Sequence, residues 1–364
     1  MGIQGKVSIV GAGTAGLILA KNLAGFGIFA DVYDTKKKPG EPPKASGIMS
    51  IKGLESLGVG YRPAIRNVLN GARIHAGNAV LRVYSKEPKA YVLDRPMLND
   101  ICLGEAIKSG AHVFLGRRVS AGELGLLAKR GVLVGADGAL STVASHFSMG
   151  YVKELVLTYK AEFEMPNNEH SVDLFFDNRL SPGFFGWICP VSKSAVEAGI
   201  GISSKKGNAK RAFDTFVEKL KKQGMLEGKA TQGYASIIPI LSEKRLVDEL
   251  NNVLLVGDAA GQVKPSTGGG VILGGRAAII AAKAIYEHMA AGASLKAYER
   301  EFRRRFGTDM LMHRLIYLAY SKLGTSGLGF LVWALSKLGF GGLLSRYGDM
   351  DSPTAFFKNM LLKR

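Results

Sequence analysis

Cysteine and histidine are scarce. Two cysteines, Cys102 and Cys189, and six histidines are spread over 364 residues without a CxxC or HxxxH spacing. That excludes a disulfide framework and argues against a metal centre, so no metal ligand is assigned. No uncharged apolar run reaches about 18 residues, which disfavours a single spanning helix. Acidic residues are also few, 30 against 48 Lys and Arg, for a net charge of +18. Such a surplus favours an anionic partner: a membrane face, a nucleic acid or a phosphorylated ligand. No nucleic-acid recognition motif is present, so that class is set aside. Residues 1–6 carry no basic-then-apolar leader before VSIV, and a cytosolic chain is expected. There is no internal repeat. Glycine, by contrast, is abundant: 47 residues, nearly double the usual ~7%. The glycines cluster without a G-X-Y period, which excludes collagen and points to loops that hug a ligand or another backbone. With 47% hydrophobic residues the chain can bury a large core, and its length suggests two domains at roughly 150 residues each.

Along the chain, residues 7–10 read as a short buried strand, then comes GAGTAG, then a helix. A second strand over 29–33 ends at Asp34. Residues 35–50 are a basic, Pro-rich loop. A helix is expected over 93–110, with Pro96 in its first turn, and another buried strand over 132–134. From 151 to 204 the pattern changes: KELVLTYKAEFEM and AVEAGIGIS read as antiparallel strands with exposed edges. Residues 209–224 form an amphipathic helix with Phe213, Phe216, Val217 and Leu220 on one face. Buried-strand character returns at 253–256, followed by a glycine-rich turn and a long helix to 290. The remainder is basic and helical.

Three motifs carry chemistry. Gly11, Gly13 and Gly16, with Thr14 and Ala15 between them, turn the chain from strand to helix, and Asp34 follows about twenty residues on. The glycines admit a pyrophosphate, the helix N-terminus offers free N–H groups, and the acid suits ribose hydroxyls. Asp137, in VGADG, and Asp258, in LVGDAAG after Gly257, each follow a buried strand at the carboxyl edge of a sheet, where ligands bind; a turn aspartate capping its own loop is the alternative. Lys264-Pro265-Ser266-Thr267-Gly268-Gly269-Gly270 leads into the helix starting at Val271, whose positive end suits an anionic ring.

Together these motifs resemble FAD-dependent oxidoreductases of the para-hydroxybenzoate hydroxylase-like fold. The segment Pro182-Gly183-Phe184-Phe185-Gly186-Trp187-Ile188-Cys189-Pro190 is similar to the PxxYxWxFP signature of the geranylgeranyl reductase family, with Phe185 for its Tyr and Cys189 for its Phe. Flavin-dependent halogenases carry a related WxWxIP segment. The resemblance covers about the first 290 residues. It implies an α/β (α+β overall) fold, in which a Rossmann-type FAD-binding domain is interrupted by an antiparallel β-sheet substrate domain and followed by a helical C-terminal region. On that basis 1–65, 88–150 and 248–295 form the FAD-binding domain and 66–87 with 151–247 the substrate domain. It further implies that Asp258 holds the ribityl chain or a ribose, that Arg95 lies near the cofactor, that Asp137 belongs to a motif bridging FAD and a reductant, and that Ala45, Ser46 and Gly47 bind the cofactor. Family members often have a cysteine in the Lys44–Gly47 loop; this chain has none, so a thiol at that spot cannot serve. Both cysteines are expected to be buried rather than reactive.

The implied activity is reduction of geranylgeranyl C=C bonds in membrane lipids or prenyl diphosphates, with NAD(P)H, ferredoxin or another reductant as electron donor. An isolated trisubstituted alkene has no carbonyl to accept charge. Proton addition first, giving cationic character, then hydride from reduced flavin N5, is the easier order. Phe184, Phe185 and Trp187 are assigned to the pocket, since desolvated ring faces stabilise a cation by about 0.5–2 kcal/mol; no proton donor is assigned. The second reading is a flavin monooxygenase or halogenase on a small aromatic, with Lys44 and Lys264 as the lysines to consider. A third is an FAD-bound electron-relay protein. Residues 296–364 hold twelve Lys and Arg against five Asp and Glu, and Arg303-Arg304-Arg305 precedes an apolar stretch with Phe330, Leu331, Trp333, Leu335, Leu338 and Phe340. An amphipathic, basic terminus of this kind suits peripheral docking on the inner face of the cell membrane.

Overall fold

A computed structural model describes residues 5–43 and 46–362. The first apolar run becomes the strand Lys6–Val10, buried along all but its first residue, as expected of a strand covered on both faces. It pairs in parallel with Asp31–Asp34 on one side and Gly131–Gly135 on the other. Val253–Leu255 and His112–Leu115 extend the sheet in parallel, and Val247–Asp248 closes one edge antiparallel. The two long glycine-bordered helices, Thr14–Ala24 and Val271–Ala291, pack against each other on this sheet. Glycines let them approach closely: a Cβ on Gly274 would lie 3.6 Å from Ala15 Cβ, and one on Gly275 3.0 Å from Ile18 Cδ1. The helix Arg95–Lys108 starts from Asp94, whose side chain accepts the Met97 N–H.

A seven-stranded sheet runs in the order Tyr234–Ser242, Val152–Glu164, Ala195–Ser203, Gly186–Ser192, Ser171–Phe175, Gly71–Ala76, Ala79–Tyr84. The strands expected to have exposed edges, Val152–Glu164 and Ala195–Ser203, are instead interior, paired on both sides. Their charged residues misled: Lys160 and Glu197 are buried against each other rather than solvated. A small antiparallel sheet is formed by Ile48–Ser50, Ala90–Leu93 and Ile65–Leu69, with Ala90–Leu93 in the middle. The amphipathic helix Ala209–Lys222 buries Phe213, Phe216 and Leu220 as its periodicity requires.

The C-terminal helices Lys296–Lys322, Thr325–Lys337 and Phe340–Tyr347 are not a detached appendage. Tyr317, Tyr320, Leu328 and Val332 share one core cluster with Phe184, Phe185 and Trp187. Helix Phe340–Tyr347 lies directly on the edge strand: a Cβ on Gly341 would fall 2.0 Å from the Arg82 carbonyl oxygen. Covering that edge removes a row of unpaired backbone groups.

The aromatic segment is seated on glycine. Trp187 faces Gly199 across the strand pair, and a Cβ there would fall 2.1 Å from the indole Cζ2; Gly201 stands in the same relation to Phe184, at 2.4 Å. Gly199→Ala therefore forces either the indole or the strand to move, and should destabilise the protein by about 1–3 kcal/mol. Urea unfolding of the variant beside the parent measures this.

Candidate functional site

The four motif ends converge on the carboxyl edge of the parallel sheet. Gly11 follows Lys6–Val10, Asp34 ends Asp31–Asp34, Asp137 follows Gly131–Gly135 and Gly257-Asp258 follow Val253–Leu255. Gly11 has φ +112°, and a Cβ there would sit 2.2 Å from the Ala136 carbonyl oxygen; one on Gly16 would meet the Gly11 oxygen at 2.1 Å. Around Gly13 there is open space within 4 Å of a Cβ, which leaves room over the helix N-terminus for a phosphate. No side chain caps that terminus. Asp34 accepts the Ala12 N–H at 2.7 Å and the Lys36 N–H at 2.8 Å, so it fixes the glycine turn with one lone pair of each oxygen and keeps the others.

Arg95 reaches this edge from its helix. Its Nη1 is buried without a hydrogen-bond partner, and its Nη2 is 3.5 Å from Thr14 Oγ1. Burial pulls its pKa down, against the opposing influence of Cys102 and Asp258. Asp258 is half-buried and its carboxyl is pushed up by burial, which Arg95 and Lys244 partly offset. A buried guanidinium with an unmet donor is costly, and a pyrophosphate or ribose beside Gly13 supplies the acceptors it lacks. The residues present therefore fit a dinucleotide-type cofactor.

Asp137 behaves differently. Its carboxylate accepts from Ser141 Oγ, Thr142 N, Thr142 Oγ1 and Val143 N at 2.6–3.2 Å. Both oxygens are thus engaged at the start of the helix Thr142–His146, while its backbone N–H borders Gly11. The loop Lys264–Gly270 lies beside Asp258: a Cβ on Gly270 would be 2.7 Å from Asp258 Oδ1, and one on Gly268 would be 3.2 Å from Phe184 Cζ. Pro265 is buried, and Val271 opens the 21-residue helix, whose first turn has no acidic residue. Gly47 is pressed against Leu93, and Ser46 is partly exposed beside it. Ala45 and Lys44 lie outside the described residues.

From Gly268 the aromatic segment continues the site. Phe184 and Phe185 stack at 4.2 Å, and Phe185 meets Trp187 and Tyr320 edge-on at 6.4 Å each. Phe184, Phe185 and Trp187 are 2%, 6% and 8% exposed, so they form packed core rather than the walls of an open groove. Behind them the Trp187 indole N–H donates to Glu197 Oε1 at 2.9 Å, and Lys160 donates to Glu197 Oε2 at 2.5 Å. A cavity of about 210 Å³ at Lys160 is bordered by Pro43, Glu162, Thr231, Gln232 and Tyr234. Burial raises both thiols, Cys102 to about 12 and Cys189 well above its ordinary value, so neither is reactive. Among the described residues no group of His, Cys, Asp and Glu could hold a metal ion.

Several site residues carried no signal in the sequence. Asn99 accepts the Thr14 hydroxyl at 2.8 Å, Lys244 donates to the Ala259 carbonyl beside Asp258, and Ser266 meets His313 Nδ1 at 2.6 Å. Only the alternation of glycine in AGIGIS, opposite an aromatic segment, could have foretold the seats for Trp187 and Phe184.

Residues 6–328 match the family model described as lycopene cyclase protein. The digeranylgeranylglycerophospholipid reductase of Methanocaldococcus jannaschii is 27% identical over 91% of this chain and 90% of its own length. Digeranylgeranylglycerophospholipid reductase 1 of Methanopyrus kandleri is 30% identical over 82% and 87%. A solved geranylgeranyl bacteriochlorophyll reductase-like protein from Thermoplasma acidophilum superposes with a TM-score of 0.82 at 19% identity, covering 98% of this chain and 96% of that one. Fold, cradle and relatives together define an FAD-dependent oxidoreductase. The chain belongs to the lycopene cyclase protein family and to the geranylgeranyl reductase family of flavoenzymes. The likeness extends past residue 290, into the C-terminal helices.

His313, 3% exposed at the back of the Lys264–Gly270 loop, provides a test of this packing. Burial and then Lys264 lower its pKa from 6.5 to about 4. Because the folded value is the lower one, the native state binds fewer protons between those limits. The contribution is complete above pH 6.5 and is lost as the pH falls towards 4, by up to about 3 kcal/mol. His313→Gln should flatten this part of the acid response, seen as a smaller drop in urea midpoint between pH 7 and 4.5 than in the parent.

Proposed function

We propose that this enzyme saturates C=C bonds of geranylgeranyl chains in a membrane lipid or its prenyl diphosphate precursor. The observation that carries the reading is the contact between the glycine loop and the aromatic stack, Gly268 against Phe184, in a chain whose relatives bear reductase names. FAD would be held by Gly11, Gly13, Thr14, Ala15, Gly16 and Asp34 at the pyrophosphate and ribose end. Arg95, Gly257 and Asp258 would hold the middle, and Ser46, Gly47, Pro265, Gly268, Gly269, Gly270 and Val271 the ring. Asp137 would act through its backbone, its carboxylate being spent on its own helix. Bound FAD, once reduced by NAD(P)H, ferredoxin or another donor, supplies the hydride. The parts 1–65, 88–150 and 248–295 would serve the cofactor, and 66–87 with 151–247 the substrate.

The chain's own residues have two tasks. They must bury an apolar chain, at about 0.8 kcal/mol per methylene, and they must stabilise positive charge on an alkene carbon after protonation. Phe184, Phe185 and Trp187 suit the second task, and the indole N–H held by the Glu197 carboxylate makes the ring face more electron-rich. The rings are covered by Tyr320, Leu328 and Val332, so a prenyl chain would enter between the sheet and the C-terminal helices. FAD-loaded protein, reduced and mixed without O₂ with a geranylgeranyl glycerophospholipid, should reoxidise and yield a saturated product by mass spectrometry. Trp187→Ala should slow that single turnover about tenfold, within the range of a desolvated cation–π contact. Turnover only with O₂ and a small aromatic would favour the monooxygenase reading instead.

Peripheral membrane docking is part of the same proposal. Among the described residues no single helix is long and apolar enough to cross a membrane; Thr325–Lys337 and Phe340–Tyr347 qualify only as a pair bent by 76°. Phe330, Trp333 and Leu338 are 68%, 51% and 77% exposed. Leu335 and Phe340 face inward instead, Phe340 against Phe356. Arg303, Arg304 and Arg305 pair with Glu299 and Glu301 on their own helix, which weakens their share in docking. Phe330→Asp combined with Trp333→Asp should abolish cosedimentation with anionic vesicles while leaving the circular dichroism and FAD content unchanged. Deleting the terminus would not test this, because it also removes Leu328 and Val332 from the core.

A further inference from the structure

The glycine loop is pinned from behind by the last segment of the chain. Lys264 Nζ donates to Asp351 Oδ1 at 2.6 Å and to the Met350 carbonyl at 3.1 Å. The other oxygen of Asp351 accepts the Ser50 hydroxyl. The Lys264 and Asp351 side chains are 11% and 8% exposed, so the pair is sheltered from water. Asp349 holds the turn from below, accepting the Asp351 N–H at 2.8 Å and the Ser352 N–H at 3.2 Å.

Lys264 is also the residue that closes the loop. Its N–H donates to the Gly269 carbonyl at 3.1 Å, and its own carbonyl accepts from Thr267 and Gly268 at 3.2 and 2.8 Å. Its side chain runs along the glycine triplet: a Cβ on Gly269 would lie 2.9 Å from Lys264 Cε. A buried ion pair generally returns no more stability than an apolar pair of the same shape, and breaking it by removing one partner is strongly destabilising. Here the two members come from segments 87 residues apart, and the pair touches a loop whose shape and charge the cofactor would feel.

We propose that Asp351 is a positioning residue for FAD: it fixes the Lys264–Gly270 loop through Lys264 and cancels the lysine's charge beside the ring. The proposal rests on the reading that this loop carries the flavin. Without Asp351 the ammonium is uncompensated and favours the more electron-rich, reduced ring. Without Lys264 the carboxylate is left alone and disfavours it. With both removed the charge terms cancel, but the loop is no longer pinned.

The test is made on full-length protein loaded with FAD, comparing the parent with Asp351→Asn, Lys264→Met and the double variant. FAD affinity is measured by titration and the two-electron midpoint potential by dye-equilibrated spectra. Asp351→Asn should raise the potential, Lys264→Met should lower it, and the double variant should return close to the parent. FAD affinity should fall at least about tenfold in all three, since every one of them breaks the pair. A loop that merely lost rigidity would weaken binding without opposite shifts in potential, and that pattern overturns the charge-cancelling role. Equal affinities and potentials in all four proteins overturn the whole proposal while leaving the flavin reading intact. Failure of the parent to bind FAD overturns the flavin reading and the proposal with it. Should a single variant not fold, the double variant carries the test: unchanged affinity there refutes the positioning role.

Discussion

The backbone of this protein has to come closer to itself, and to its aromatic rings, than a Cβ allows. At the cofactor edge the first strand and helix meet the Ala136 carbonyl through Gly11, and the first helix folds back on the same turn through Gly16. At the other end of the site Gly199 and Gly201 are flat seats for Trp187 and Phe184. Between them Gly268 and Gly270 bring the loop against Phe184 and Asp258. At these positions glycine is a geometric requirement. A side chain at any of these points would separate layers whose contact builds the site.

The second organising fact is how much charge the interior tolerates. Arg95 with its unmet Nη1, the raised Asp258, Lys244, the Lys160–Glu197 pair and the Lys264–Asp351 pair are all at least partly buried. Apolar residues would be the cheaper filling at each point. Arg95 keeps a donor unmet by the protein, whereas the two ion pairs satisfy each other and hold an indole and a loop in place.

The parts legible in the sequence were those encoded locally. A glycine fingerprint, its acid twenty residues on and two aspartates after buried strands depend on neighbours in the chain, and all four stand at one sheet edge. The aromatic signature was legible for the same reason. Burial of Lys160 and Glu197 was not, because a charged residue in an alternating strand reads as solvent-facing until its partner strand is known. The ties of Ser266 to His313 and Lys264 to Asp351 span 47 and 87 residues, so nothing in the local pattern announces them. Asp137 shows the converse, a motif residue whose local surroundings already satisfy it.

The reach of Asp351 back to Lys264 also has a bearing on how the molecule is made. The carboxylate comes 87 residues after its lysine in the chain. During synthesis the N-terminal parts fold first, yet this corner lacks its final partner until residue 351 has been added. A nascent chain can therefore complete its parallel sheet and its glycine turn while the corner stays open, and closure waits for the C-terminal helices to emerge.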